Sequence, residues 1–100
     1  MSSRRFYRRR FLNKRGHHAG AYVLADCSIE TYQSVAEVAA SLTIADCGRV
    51  ATLNFDVRSE SDAGNALYKA RLLRDVVGDF VVALEESVEE WRRRQGRPSK

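Results

Sequence analysis

The sequence predicts an α+β fold: a three-stranded antiparallel meander with one long C-terminal helix packed on one face. Three observations carry this. Between residues 19 and 57, apolar and polar residues alternate in three successive runs. The last two runs are separated by Asp46-Cys47-Gly48-Arg49, whose residues suit a tight turn. From about residue 60 the apolar residues recur instead at three- and four-residue steps, the period of a helix.

The first run places Ala21, Val23, Ala25, Cys27 and Ile29 on one face, with Tyr22, Leu24, Asp26, Ser28 and Glu30 on the other. Residues 31–34 read as a polar connection. The second run sets Val38, Ala40, Leu42 and Ile44 against Ala39, Ser41, Thr43 and Ala45. The third sets Ala51, Leu53, Phe55 and Val57 against Thr52, Asn54 and Asp56. The second and third runs make a hairpin, and the first pairs with the second.

Ser59 or Ser61 is the expected N-cap of the helix, and Glu60 and Asp62 suit its positive end. The stripe Ala66, Ala70, Leu73, Val77, Phe80, Leu84, Val88 and Trp91 continues unbroken past Gly78, so one long helix, kinked or straight, is expected over about residues 60–94. Gly96 and Pro98 stop it. Such a helix is about 50 Å long, whereas a strand of eight residues spans about 26 Å. The sheet is too short to cover the whole stripe. A homodimer is therefore expected, built on Val77, Val81, Leu84, Val88 and Trp91.

A chain of 100 residues makes one domain, with a core too small for a deep cleft. Charge is sorted along it. Residues 1–18 carry +7 with no acid, residues 92–100 carry +5 with no acid, and the 73 residues between carry −8, which sums to the net +4. The predicted organisation is a basic, aromatic-laced arm (1–18), the α+β domain (19–95) and a basic tail (96–100). Cationic ends on an acidic body suit a polyanion or an acidic protein partner.

In the arm, Arg4, Arg5, Arg8, Arg9 and Arg10 interleave with Phe6, Tyr7 and Phe11, and Lys14 and Arg15 follow. Guanidinium groups fork onto phosphate, and rings stack on bases. These residues, with Arg92, Arg93 and Arg94, are the candidate binding set for nucleic acid, DNA or RNA. A solvated tail and a cationic peptide for an acidic protein are the competing readings of the same run.

His17, His18, Cys27 and Cys47 have the chemistry of zinc ligands. Their spacing does not fit a zinc motif, so neither a metal site nor a disulfide is expected. No phosphate loop, nucleophile elbow or carboxylate pair is present, and the sequence predicts no enzyme and no cofactor. Arg8-Arg9-Arg10-Phe11-Leu12-Asn13-Lys14 resembles a twin-arginine export motif. The apolar stretch after it is short, and Asp26 occupies the small-residue position before Cys27. The expectation is a cytoplasmic protein.

Two resemblances concern the chain as a whole. The expected strand–strand–strand–helix order, with Gly64-Asn65-Ala66-Leu67-Tyr68-Lys69-Ala70 near the helix start, resembles the later part of double-stranded RNA-binding domains. That family docks a basic helix N-terminus on phosphate. Here Glu60 and Asp62 hold that place, so the site does not carry over. The small size and basic arm also resemble accessory proteins of phages and mobile elements, some of which inhibit bacterial defence complexes. That resemblance implies a protein partner and covers no defined motif. The sequence thus predicts a non-enzymatic binding module for nucleic acid, with a protein-binding inhibitor or adaptor as the alternative.

Overall fold

The computed structural model describes residues 2–96. Four strands and one helix follow one another: β1 (Ser2–Phe11), β2 (Tyr22–Tyr32), β3 (Val35–Asp46), β4 (Arg49–Asn54) and α1 (Glu60–Gly96). The strands form a single antiparallel sheet in the order β1-β2-β3-β4. The fold is α+β, a meander followed by one long helix. The chain divides into two compact units, Met1–Tyr68 and Lys69–Lys100.

The sheet has four strands where the alternation predicts three. The extra strand, β1, is the arginine-rich run. Arginines on both of its faces mask any alternation, yet a backbone ladder needs no apolar side chain to form. β1 lies at the edge of the sheet, where long charged side chains keep their heads in water. Its register runs from Ser2 opposite Glu30 to Phe11 opposite Tyr22, with a bulge between Arg4 and Phe6.

The other three strands pair as their patterns predict. Ile29, Cys27, Ala25 and Val23 lie opposite Val38, Ala40, Leu42 and Ile44, and Leu42 and Ile44 lie opposite Leu53 and Ala51. Paired residues share a face, so these side chains make one apolar face across β2, β3 and β4. The opposite face is mixed, with Asp26, Ser28, Glu30 and Thr43 beside Tyr22, Leu24 and Val50, and the Thr43 and Thr52 hydroxyls lie 2.9 Å apart on it.

The β2–β3 and β3–β4 connections are two-residue turns. Cys47 and Gly48 have φ of 49° and 82°, and Gln33 and Ser34 have φ of 51° and 71°. Positive φ at both central residues matches the right-handed strand twist. The Gln33–Ser34 turn has no glycine, and β2 and β3 pair right up to it, with Thr31 opposite Ala36 and Tyr32 opposite Val35, where the polar run 31–34 reads as a connection. Beyond β4, Phe55 donates its N–H to the carbonyl of Ala40, and Val57 bonds reciprocally with Val38.

Asp56 fixes this last segment. Its carboxylate accepts the backbone N–H of Ala40 at 2.8 Å and the Asn54 side-chain amide at 3.1 Å. The Ala40 N–H first, then Asn54, with Arg58 adding to them, hold the carboxyl below its ordinary value against the opposing effect of burial.

Helix α1 starts at Ser59, whose hydroxyl accepts the N–H of Asp62 at 3.1 Å. The Asp62 carboxylate accepts the N–H of Arg58 in return. The helix then runs through Gly78 to Gly96 without a break. Residues 97–100, which include Arg97, Pro98 and most of the expected basic tail, lie outside the described residues.

Because the folded carboxyl of Asp56 is more acidic than the unfolded one, its contribution is complete above the unfolded value near 4 and is lost as pH falls through the folded value. Asp56→Ala is expected to lower stability by about 1 kcal/mol at pH 7. The gap between variant and wild type should close in strong acid. Urea unfolding at neutral and acidic pH measures both.

Candidate nucleic-acid interface

β1 carries five arginines, three rings and no acid. Its residues are exposed along its length, and the ladder to β2 decides which face each side chain takes. Arg9 and Phe11 lie opposite Leu24 and Tyr22, on the mixed face. Phe6, Arg8 and Arg10 lie opposite Cys27, Ala25 and Val23, on the apolar face. On each face one neighbour pair sets a guanidinium on a ring. Arg8 sits 5.2 Å from the Phe6 centroid, and Arg9 sits 5.4 Å from Phe11. Arg9 also reaches across the ladder to Tyr22 at 5.3 Å. The ring quadrupole attracts the cation and orients its planar fork.

The bulge at Arg5 extends this arrangement. Arg4 and Tyr7 are three apart and would take opposite faces on a regular strand. The register shift puts them on one face, opposite Ser28 and Asp26, with the guanidinium 4.6 Å from the Tyr7 centroid. The mixed face of the β1 edge thus presents Arg4, Tyr7, Arg9 and Phe11 in a line, backed by Tyr22. Phe6, Tyr7 and Phe11 stay 43%, 48% and 59% exposed. Tyr22 is the member of this group that the alternation placed on the outer face without assigning it a role. The signal was its place on β2, and its use depended on finding β1.

The remaining candidates fall elsewhere. Lys14 and Arg15 are exposed in the loop between β1 and β2. Arg92, Arg93 and Arg94 belong to the last turns of α1, in the second unit. Arg93 pairs with Glu89 at 3.9 Å, and Arg94 pairs with Glu90. Those two pairs offset part of the positive charge that the C-terminal run suggests. On the same helix, Val77, Val81, Leu84 and Trp91 are exposed and Val88 is half-buried.

A second cluster was not legible in the spacing. The ligating atoms of His18, Asp46 and Cys47 all lie within 4.8 Å of one another. The loop reaches the hairpin through the Cys47 N–H, which donates to the Gly20 carbonyl at 3.1 Å. Gly20 fits closely there: a Cβ on it would stand 3.3 Å from the His18 Nδ1. Where the loop crosses, Ala21 and Ala45 are 5% and 3% exposed.

Cys47 Sγ lies 3.6 Å from His18 Nε2, close to the ~3.6 Å that two ligands at ~2.3 and ~2.0 Å span across a tetrahedral zinc. The hydrogen bonds favour another reading. The Gly20 N–H donates to Nδ1 at 3.2 Å, and the Asn13 side-chain nitrogen stands 3.2 Å from Nε2. A metal on Nε2 would leave the ring's own proton on Nδ1, against the Gly20 N–H. Asn13 donates to the His18 carbonyl at 2.9 Å. The cluster is a clasp between loop and hairpin, with the His18 ring 3.6 Å from the Cys47 sulfur.

No family model, curated protein or solved structure matches the chain.

The clasp has a direct consequence. His18→Ala is expected to cost about 1 kcal/mol and to speed exchange of the Cys47 amide several-fold, because the loop carrying the Gly20 carbonyl is then held by fewer contacts. Amide hydrogen exchange, with the Val38 and Val57 amides as the internal reference, measures the rate. An unchanged Cys47 rate would contradict the clasp.

Proposed function

We propose that the chain is a non-enzymatic nucleic-acid-binding module that reads single strands along β1. The observation that carries this reading is the alignment of guanidinium groups and exposed rings on a hydrogen-bonded strand. Arginines contact phosphate without regard to sequence. Tyr7 and Phe11, each in contact with an arginine, offer stacking surfaces to bases. Stacking of that kind needs bases already out of a duplex, which favours single-stranded RNA or DNA. Because the strand is held in register, these groups need little ordering on binding, which conserves affinity. Lys14 and Arg15 extend the same basic path into the loop.

A second reading rests on the position of β1 at the edge of the sheet. An edge strand accepts an added strand, and its arginines suit an acidic segment. A protein-binding inhibitor or adaptor, with such a segment on its partner, is that alternative.

Fluorescence anisotropy with labelled single-stranded and duplex oligonucleotides tests the proposal. If about five phosphates are neutralised, single-strand affinity should fall about 100-fold between 50 and 200 mM salt. Replacing Arg8, Arg9 and Arg10 together by Ala should flatten the slope of log affinity against log salt by about 2. Tyr7→Leu with Phe11→Leu should weaken binding about ten-fold or more while leaving the salt slope unchanged. Absence of binding at low salt would overturn the proposal and leave the edge-strand reading.

A further inference from the structure

We infer that the second unit pairs with the same helix of a second copy of this chain, antiparallel, about a two-fold axis between Gly78 and Asp79. The inference is independent of the nucleic-acid reading. It starts from the spacing along α1. Ala70, Leu73, Val77, Phe80 and Leu84 follow one another in alternating steps of three and four, the seam of a coiled coil. Val77, Phe80 and Leu84 on that seam are 48%, 61% and 49% exposed. Apolar side chains this open are the surface a helix partner covers.

Charge along the helix selects the partner and its direction. Lys69, Arg71 and Arg74 form a basic block, and Glu85, Glu86, Glu89 and Glu90 form an acidic one. Parallel copies would set like blocks side by side. They would place Lys69 beside Arg74 of the second copy, a like-charge contact at the flanking positions that set orientation. Antiparallel copies bring the basic block of each against the acidic block of the other, with Lys69 beside the second copy's Glu90. Twofold symmetry makes that contact twice. A surface complementary to itself in only one direction is the signature of an isologous interface.

The seam packs in the same register. With the axis between Gly78 and Asp79, Val77 meets Phe80 of the second copy, Leu73 meets Leu84, and Ala70 meets Ser87. The flanking Val76 and Val81 then join the contact. Gly78 lies near the axis but off the seam, with nothing within 4 Å of a Cβ built on it. It is not the source of close approach.

Charge exchange distinguishes this pairing from its rivals. The full chain and its Lys69→Glu, Glu90→Lys and doubly exchanged variants are compared by sedimentation equilibrium, with helicity from circular dichroism to verify folding. Wild type should give twice the 11.3 kDa monomer mass. Each single exchange should weaken the dimer about ten-fold, and the double exchange should restore it. In parallel pairing Lys69→Glu would instead strengthen the dimer, because the new Glu would face Arg74. That result would overturn the inference, as would a wild-type monomer at 100 μM or a trimer or tetramer. Should a single variant fail to fold, Arg74→Glu decides the matter: it should leave the antiparallel dimer, where residue 74 lies beside Val81 of the second copy, about unchanged, whereas strengthening, from the new Glu facing Lys69 of a parallel copy, would overturn the inference.

Discussion

The backbone ladder between β1 and β2 is the interaction on which the site depends. It takes the most charged segment of the chain and fixes each side chain to a face of the sheet. Without it, residues 2–11 would be a cationic tail with no preferred arrangement of ring and guanidinium. With it, Arg9 is brought to both Phe11 and Tyr22, a contact that no local peptide conformation would guarantee. The bulge at Arg5 belongs to the same device. It rotates the first residues of the strand so that Arg4 reaches Tyr7 instead of pointing to the other face.

The ladder also explains how so much positive charge is tolerated in a sheet. β1 is an edge strand, so only one of its sides is hydrogen-bonded to a neighbour. Its arginines spread over both faces, and each of Arg4, Arg8 and Arg9 covers an aromatic ring. Covering rings with cations limits the apolar surface an edge strand would show to other chains. The same arrangement leaves the arginine forks in water, where an anion can reach them. Protection of the edge and display of a binding surface use the same residues.

Three of the four strands and the helix were legible in the sequence, for a simple reason. β2, β3 and β4 each set their alternating apolar residues on one shared face of the ladder, and that period of two is visible in the sequence. α1 was legible because its apolar stripe keeps phase past Gly78, and a single glycine costs a helix only about 1 kcal/mol against alanine. β1 was not legible because Arg8 and Arg10 occupy positions on the apolar face, which erases the pattern. The turn at Gln33 and Ser34 was not legible as a two-residue turn because neither residue is a usual choice for positive φ. The candidate residues of the arm were identified by type, but not their faces, since those follow from register. The clasp of His18 on Cys47 spans 29 residues of sequence and is made by a loop folding onto a hairpin, which spacing along the chain does not encode.

If β1 is an integral strand, the site is a fixed platform; if it is a tail, the site does not exist in the free protein. Amide hydrogen exchange followed by nuclear magnetic resonance at low ionic strength, without any ligand, separates these cases. The account predicts that β1 amides bonded to β2, between residues 3 and 11, are protected at least 100-fold over an unstructured chain, if less than those of the central strands. Exchange of all β1 amides at the unstructured rate, with β2, β3 and β4 protected, would contradict it.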